Sequence, residues 1–234
     1  MFEIIKNAKN FNNEIKMKSS NSKVLAFFSG GKDSIFSIMK AKENGLSIDY
    51  LLFNTHDFPR PNVHEINIDI VRTIANLIGI PLYILHLKEG KEYEQLRNLF
   101  SKLNINCIIV GNVNSEEQLN WYKNLCKENN INIYAPLWGN SYDILISEIN
   151  YGIKAIICDL DVKKLNKNLI GKIIDKDMIK EFSYIDFCGE YGEYHTLVLD
   201  APIMQGKIIV KNYEILEEWN RCMLKIEEFM VIRK

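Results

Sequence analysis

Two stretches of this chain concentrate groups that could do chemistry. The first is Ser29-Gly30-Gly31-Lys32-Asp33-Ser34, with two glycines, two hydroxyls, a lysine and an acid. The second is Gly189-Glu190-Tyr191-Gly192-Glu193-Tyr194-His195-Thr196, with two glycines, two carboxylates, an imidazole and a hydroxyl. The first follows the apolar run 24–28, which predicts a short buried strand, and precedes 35–44, which predicts a helix. In a strand, loop and helix N-terminus, unpaired amides and the helix dipole converge on one point. That point suits phosphate. Gly30 and Gly31 let the backbone turn and approach a ligand, and Ser34 is the expected N-cap. The loop is not a Walker A loop, because Asp33 follows Lys32 and Ala26 stands where that motif needs glycine. In the second stretch Glu190, Glu193 and His195 could ligate a cation, but no second cluster completes a cage in sequence. Substrate binding or proton handling is the preferred reading.

The string SGGKDS resembles the pyrophosphate loop of the PP-loop ATP pyrophosphatases. The elements around it fit such a site. Strands are expected over 48–53, 82–85, 107–110 and 131–134, and helices over 63–78, 91–103 and 115–128. Gly45 and Gly79 close helices, and Ser115 with Gln118 fits a capping box. Alternating strands and helices predict an α/β, Rossmann-like parallel sheet with ligands beyond the strands' carboxyl ends. Turns 29–34, 54–57 and 111–115 then face one crevice. Phosphates are expected on the first, and adenosine between the second and third, near Asn54, Thr55, Gly111 and Asn112.

Phe2, Ile5, Ala8, Phe11 and Ile15 predict an amphipathic helix ahead of a polar linker. Residues 135–139 mark the expected domain junction. The predicted organisation is an extension over 1–22, an ATP-binding domain over 23–139 and a smaller α+β substrate domain over 140–234. Within the last, helices are expected over 143–151 and 177–182 and a strand over 154–159. Leu224, Ile226, Met230 and Ile232 recur at period two, which predicts a hairpin with 207–217 breaking near Asn220-Arg221. A helix over 214–229 is the open alternative.

Bulk properties narrow the function. The formal net charge is −1, so the basic excess of a nucleic-acid binder is missing. The five cysteines are scattered without a CxxC pair, which argues against a disulfide scaffold, a zinc site or paired-cysteine sulfur transfer. No signal-peptide h-region or membrane-length apolar run is apparent, so a cytoplasmic, membrane-free protein is expected.

FSGGKDS at 28–34, GIPL at 79–82, VGNVNSEEQ at 110–118, APLWG at 135–139, LIGKIID at 169–175 and CGEYGEYHTLVLDAP at 188–202 together resemble the diphthine–ammonia ligase family. The APLW and GEYGEYHT–DAP combination is the more specific part. The resemblance implies an adenine nucleotide α-hydrolase fold and ATP as co-substrate. It also implies diphthine-modified elongation factor 2 as protein partner, free ammonia, and AMP and pyrophosphate as products. It assigns the phosphates to Ser29, Gly30, Gly31, Lys32, Asp33 and Ser34, with Asp33 as the candidate ligand for Mg²⁺. It assigns the acceptor to Ser115, Gln118, Trp138, Glu190, Gly192, Glu193, His195 and Thr196. Lys32, Glu190, Glu193 and His195 are the candidate catalytic residues. Two departures stand out: Glu117 and Leu119 replace a tyrosine and an arginine usual in the family, so that arginine's role does not carry over. The alternative is a related enzyme adenylating another carboxylate or a tRNA base. A homo-oligomer is left open.

Overall fold

The computed structural model describes residues 23–57 and 62–234. The expected N-terminal helix and residues 58–61 lie outside the described residues. Strand β1 (Lys23–Phe27) carries apolar side chains on both faces. Val24 and Ala26 join one buried cluster, while Leu25 and Phe27 join another on the opposite side. This period-two split is why the strand reads as one continuous apolar run. Fully burying a side chain such as Leu25 contributes roughly 2 kcal/mol.

β1 pairs in parallel with β2 (Tyr50–His56) and β4 (Ile105–Ile109). With β3 (Leu82–Leu87) and β5 (Asn132–Tyr134) the sheet runs in the order β3-β2-β1-β4-β5. The intervening helices are α1 (Lys32–Glu43), α2 (Val63–Ile66), α3 (Ile68–Ile78), α4 (Glu92–Leu103) and α5 (Glu116–Asn129). Strand order reverses between β1 and β4, which opens a crevice at their carboxyl ends. The expected Rossmann-like α/β sheet is therefore present.

The expected helix over 63–78 is interrupted at Asn67. Its buried side chain donates to Val63 O and Leu224 O, each at 2.8 Å, and accepts from Ile226 N at 2.8 Å. Periodicity could not reveal this break, because the competing partner lies 157 residues away.

After α6 (Ser141–Asn150) comes a second, antiparallel sheet in the order β7-β6-β9-β8. Its strands are β6 (Lys154–Asp161), β7 (Tyr194–Asp200), β8 (Gly206–Glu218) and β9 (Arg221–Arg233). The tail is a hairpin, and the helical alternative over 214–229 is excluded by the β8–β9 ladder, with Leu216 opposite Met223. The turn is Trp219-Asn220, both at positive φ, one residue before the expected break. Asp177–Phe182 is a 3₁₀ segment rather than an α-helix. Leu160, Leu197 and Val198 share a buried cluster with Ala26 and Phe28, so one apolar core joins the two sheets. Among the described residues no helix is long and apolar enough to cross a membrane.

Candidate active site

The chain leaves β1 through Gly30, at φ +79°, and enters α1 at Lys32. The N-cap is Gly31, in extended conformation and without a side-chain cap. Ser34 is therefore not the N-cap. The turn at Gly30 lets the helix start three residues earlier and leaves Ser34 in the first turn. Its hydroxyl donates to Gly31 O at 2.9 Å and lies 3.4 Å from Ser29 Oγ.

Strand β7 holds this loop in place. Val198 N donates to Gly30 O at 2.9 Å, and Lys32 N donates to Thr196 Oγ1 at 3.1 Å. The Lys32 amide is thus already spent. The next amides, of Asp33 and Ser34, make no hydrogen bond among the described residues. The packing is tight: a Cβ on Gly31 would lie 3.1 Å from Thr196 O, and one on Gly111 would lie 3.0 Å from the Asp33 carbonyl carbon.

The Lys32 side chain turns beneath the loop. Only 2% exposed, its Nζ lies 2.7 Å from Asp33 Oδ1, 3.4 Å from Glu148 Oε2 and 3.2 Å from Cys188 O. Burial opposes the ammonium charge, but the anionic surroundings, Asp33 foremost, hold its proton well above the ordinary range. Burial, then Asp33, pushes Glu148 the same way, toward its neutral form. Asp33, Glu148 and the Cys188 thiol lie close enough together to hold a metal ion. The ammonium already neutralises that cluster, which therefore reads as a lysine cage.

A cleft of about 330 Å³ opens above the loop, a size that suits a small-molecule ligand. Ser29, Gly31, Asp33, Ser34, Asn54, Gly111, Asn112 and Gln118 line it from the parallel sheet, and Glu190, His195 and Thr196 from the second motif. The other expected residues do not line it. Thr55 follows Asn54 along β2 and so points to the opposite face, where its hydroxyl meets His86 Nδ1 at 2.9 Å. Ser115 is occupied as the cap of α5, accepting from Gln118 N. Trp138 packs on the core cluster across the sheet. Gly192 offers its carbonyl to Arg221. Glu193 is buried, accepting from Tyr191 N at 3.0 Å and facing Lys164 Nζ at 3.4 Å, and so closes its own turn.

Glu190 is the cleft carboxylate with the most altered proton affinity. Burial, then Asp33, raises it to about 7, against hydrogen bonds from the backbone at Val113 and Ser115. Asp186 holds it there, accepting from Cys188 N at 2.9 Å, Glu190 N at 3.2 Å and Asn114 Nδ2 at 2.7 Å. His195 is reached by water through the cleft, its side chain 43% exposed, though protein surrounds it elsewhere. Burial first, then Arg221 and Lys32, keep its proton affinity below the ordinary value.

Two families of sequence have models that match this chain: the diphthamide synthase N-terminal domain over residues 22–133 and the diphthamide synthase C-terminal domain over residues 141–232. The chain belongs to the diphthamide synthase family. A diphthine–ammonia ligase from Mus musculus is 29% identical, over 82% of this chain and 84% of its own length. The tRNA-specific 2-thiouridylase MnmA from Campylobacter lari is 40% identical over 67 residues, covering 29% of this chain and 19% of that protein. Among solved structures, the U34-tRNA thiolase NcsA from Methanococcus maripaludis overlaps 61% of this chain and 64% of its own, at 16% identity and a TM-score of 0.39.

Sequence reasoning missed several residues around the cleft of this diphthamide synthase family member. Asn62 and His64 line it from the start of α2. His64, pushed down to about 3 by burial and then His195, meets the His195 ring edge-to-face at 5.6 Å. Asn62 accepts from His64 N and Glu65 N, and an Asn before an apolar helix start was the available signal. Tyr122 lines the cleft from α5. Glu148, Asp159 and Arg221 carried no local signal, because their partners are distant in the chain; Asp186 caps its own turn at 188 and 190, a local signal that was missed.

Proposed function

We propose that this chain is an ATP-dependent ligase that converts diphthine on elongation factor 2 to diphthamide with ammonia. The observation that carries the reading is the hydrogen bond from Lys32 N to Thr196 Oγ1, which joins the phosphate-type loop to the acid-bearing motif at one cleft. The family match supports the reading of the substrate class.

A carboxylate does not react usefully with ammonia, because its leaving group is oxide. In the proposed reaction the acceptor carboxylate attacks the α-phosphorus of ATP and pyrophosphate departs. Ammonia then attacks the acyl carbon, AMP departs, and the amide forms. The amides of Asp33 and Ser34 at the α1 N-terminus supply preorganised positive charge for pyrophosphate, and the Lys32 ammonium below offsets the Asp33 carboxylate that would otherwise repel it. Asn54 Oδ1, buried and without a hydrogen bond among the described residues, is an acceptor suited to a nucleoside donor. Glu190, near neutrality, accepts the proton that ammonia must lose. Asp33, a quarter exposed on the cleft, offers the hard oxygen that Mg²⁺ takes beside the nucleotide's own phosphates. Such an ion would neutralise phosphate charge.

The test incubates the chain with ATP, Mg²⁺, ammonium and elongation factor 2 carrying diphthine. Mass spectrometry should find the acid converted to the amide, with AMP and pyrophosphate released in equal amounts. ADP release, or AMP release without amide, would overturn the reading.

A further inference from the structure

Behind the cleft lies a buried ion pair that the proposed reaction does not use. The β6–β7 register sets Asp159 opposite His195, and Asp159 Oδ2 lies 3.9 Å from His195 Nε2. Arg221, the first residue after the Trp219-Asn220 turn, grips both carboxylate oxygens. Its Nε donates to Oδ1 at 2.9 Å and Nη2 to Oδ2 at 2.6 Å. Its third nitrogen, Nη1, donates to Gly192 O at 2.5 Å. One guanidinium therefore ties the C-terminal hairpin to β6 and to the turn between Glu190 and His195. We propose that Asp159 and Arg221 are a positioning pair for His195, setting where its imidazole sits and what charge it carries in the cleft.

The charges and titratable groups facing His195 come from four elements: Asp159 on β6, Arg221 on β9, His64 on α2 and Lys32 on α1. Asp159 and Arg221 cancel each other only while both are present. Without the guanidinium, a carboxylate at 3.9 Å would draw a proton onto the imidazole. The resulting imidazolium would stand in a cleft built for anions and would hold departing pyrophosphate as an ion partner. An uncharged imidazole can instead exchange one hydrogen bond with the acceptor or the amine. That catalytic meaning rests on the proposed function, whereas the control of charge does not. The fork matters as well as the charge, because a lysine ammonium cannot span both carboxylate oxygens and the Gly192 carbonyl.

The test is an NMR titration of the full chain labelled on its four histidine rings, without nucleotide. The His195 signal is identified by its loss in His195→Asn. In the parent chain His195 should stay neutral through the range where free imidazole titrates. In Arg221→Gln its midpoint should rise by about one pH unit or more. The double variant Arg221→Gln/Asp159→Asn should bring it back down. An unchanged His195 titration in folded Arg221→Gln would overturn the proposal. Should that variant fail to fold, Arg221→Lys decides. It should keep the parent titration while kcat falls and KM for ATP holds, and an unaltered kcat would overturn the positioning role. The titration involves neither ATP nor acceptor, so it stands or falls separately from the ligase reading.

Discussion

Lys32 N donates to Thr196 Oγ1 at 3.1 Å, joining residues 164 apart in the chain. Thr196 is 4% exposed, so the bond lies in the interior. Replacing Thr196 with Val keeps the shape but strands a buried amide, at a cost of about 1–3 kcal/mol. Thr196→Val should unfold at lower denaturant and show a raised KM for ATP, because the loop loses its tether. Thr196→Ser should retain both properties. Equal behaviour of the two variants in urea melts and ATP turnover would remove the tether from the argument.

The cage under the loop makes an asymmetric prediction. Lys32→Ala leaves the Asp33 carboxylate uncompensated beside the phosphates, and turnover should fall on the order of 10²-fold, the scale of a lost electrostatic contribution to the transition state. Burial and Asp33 favour the neutral form of Glu148, which Glu148→Gln mimics. Its stability at pH 7 should change by less than about 1 kcal/mol. A loss of about 3 kcal/mol or more by denaturant titration would instead mark a charged buried pair.

Glu190 sets the pH behaviour. Its affinity is raised from the model-compound value of 4.5 to about 7, so it becomes a base only as pH rises through neutrality. The amide-forming rate should climb over that range and flatten in Glu190→Gln. The linked stability effect has the opposite sense from that of a stabilised carboxylate. Ionising Glu190 costs folded-state stability, beginning above about 4.5 and complete above about 7. Thermal melts should therefore favour Glu190→Gln over the parent more at pH 8 than at pH 4.5.

Gly111 is a steric prediction. A Cβ there would meet the Asp33–Ser34 peptide at 3.0–3.1 Å, and every nearby atom is backbone, so nothing flexible can yield. Gly111→Ala should displace the α1 N-terminus and weaken ATP binding by calorimetry, while far-ultraviolet circular dichroism stays close to that of the parent. Unchanged ATP affinity would show that the loop tolerates the shift.

Much of the molecule is legible in the residues taken in order. Apolar runs such as 24–28 and 107–110 announced strands, because both were buried on both faces and needed no polar alternation. The phosphate-type loop was legible as well, since glycines, lysine and hydroxyls act through backbone a few residues long. The tail was harder. Its period-two pattern competed with a helical one, and only the ladder with Leu216 opposite Met223 resolved it.

Local sequence thus determined the alternation of strands and helices, the loop after β1 and the polar density of 189–196. Long-range packing decided which of those polar groups face the cleft. Neighbours along a strand point to opposite faces, so Asn54 lines the cleft while Thr55 bonds His86. Glu190 and Glu193 look alike in sequence, yet one borders the cleft and the other closes its own turn against Tyr191 and Lys164. Lys32 sits in the phosphate loop, but its ammonium lies beneath it, between Asp33, the Cys188 carbonyl and Glu148 of α6. Burial and partner charges set these outcomes, and both depend on register and packing between segments far apart in the chain.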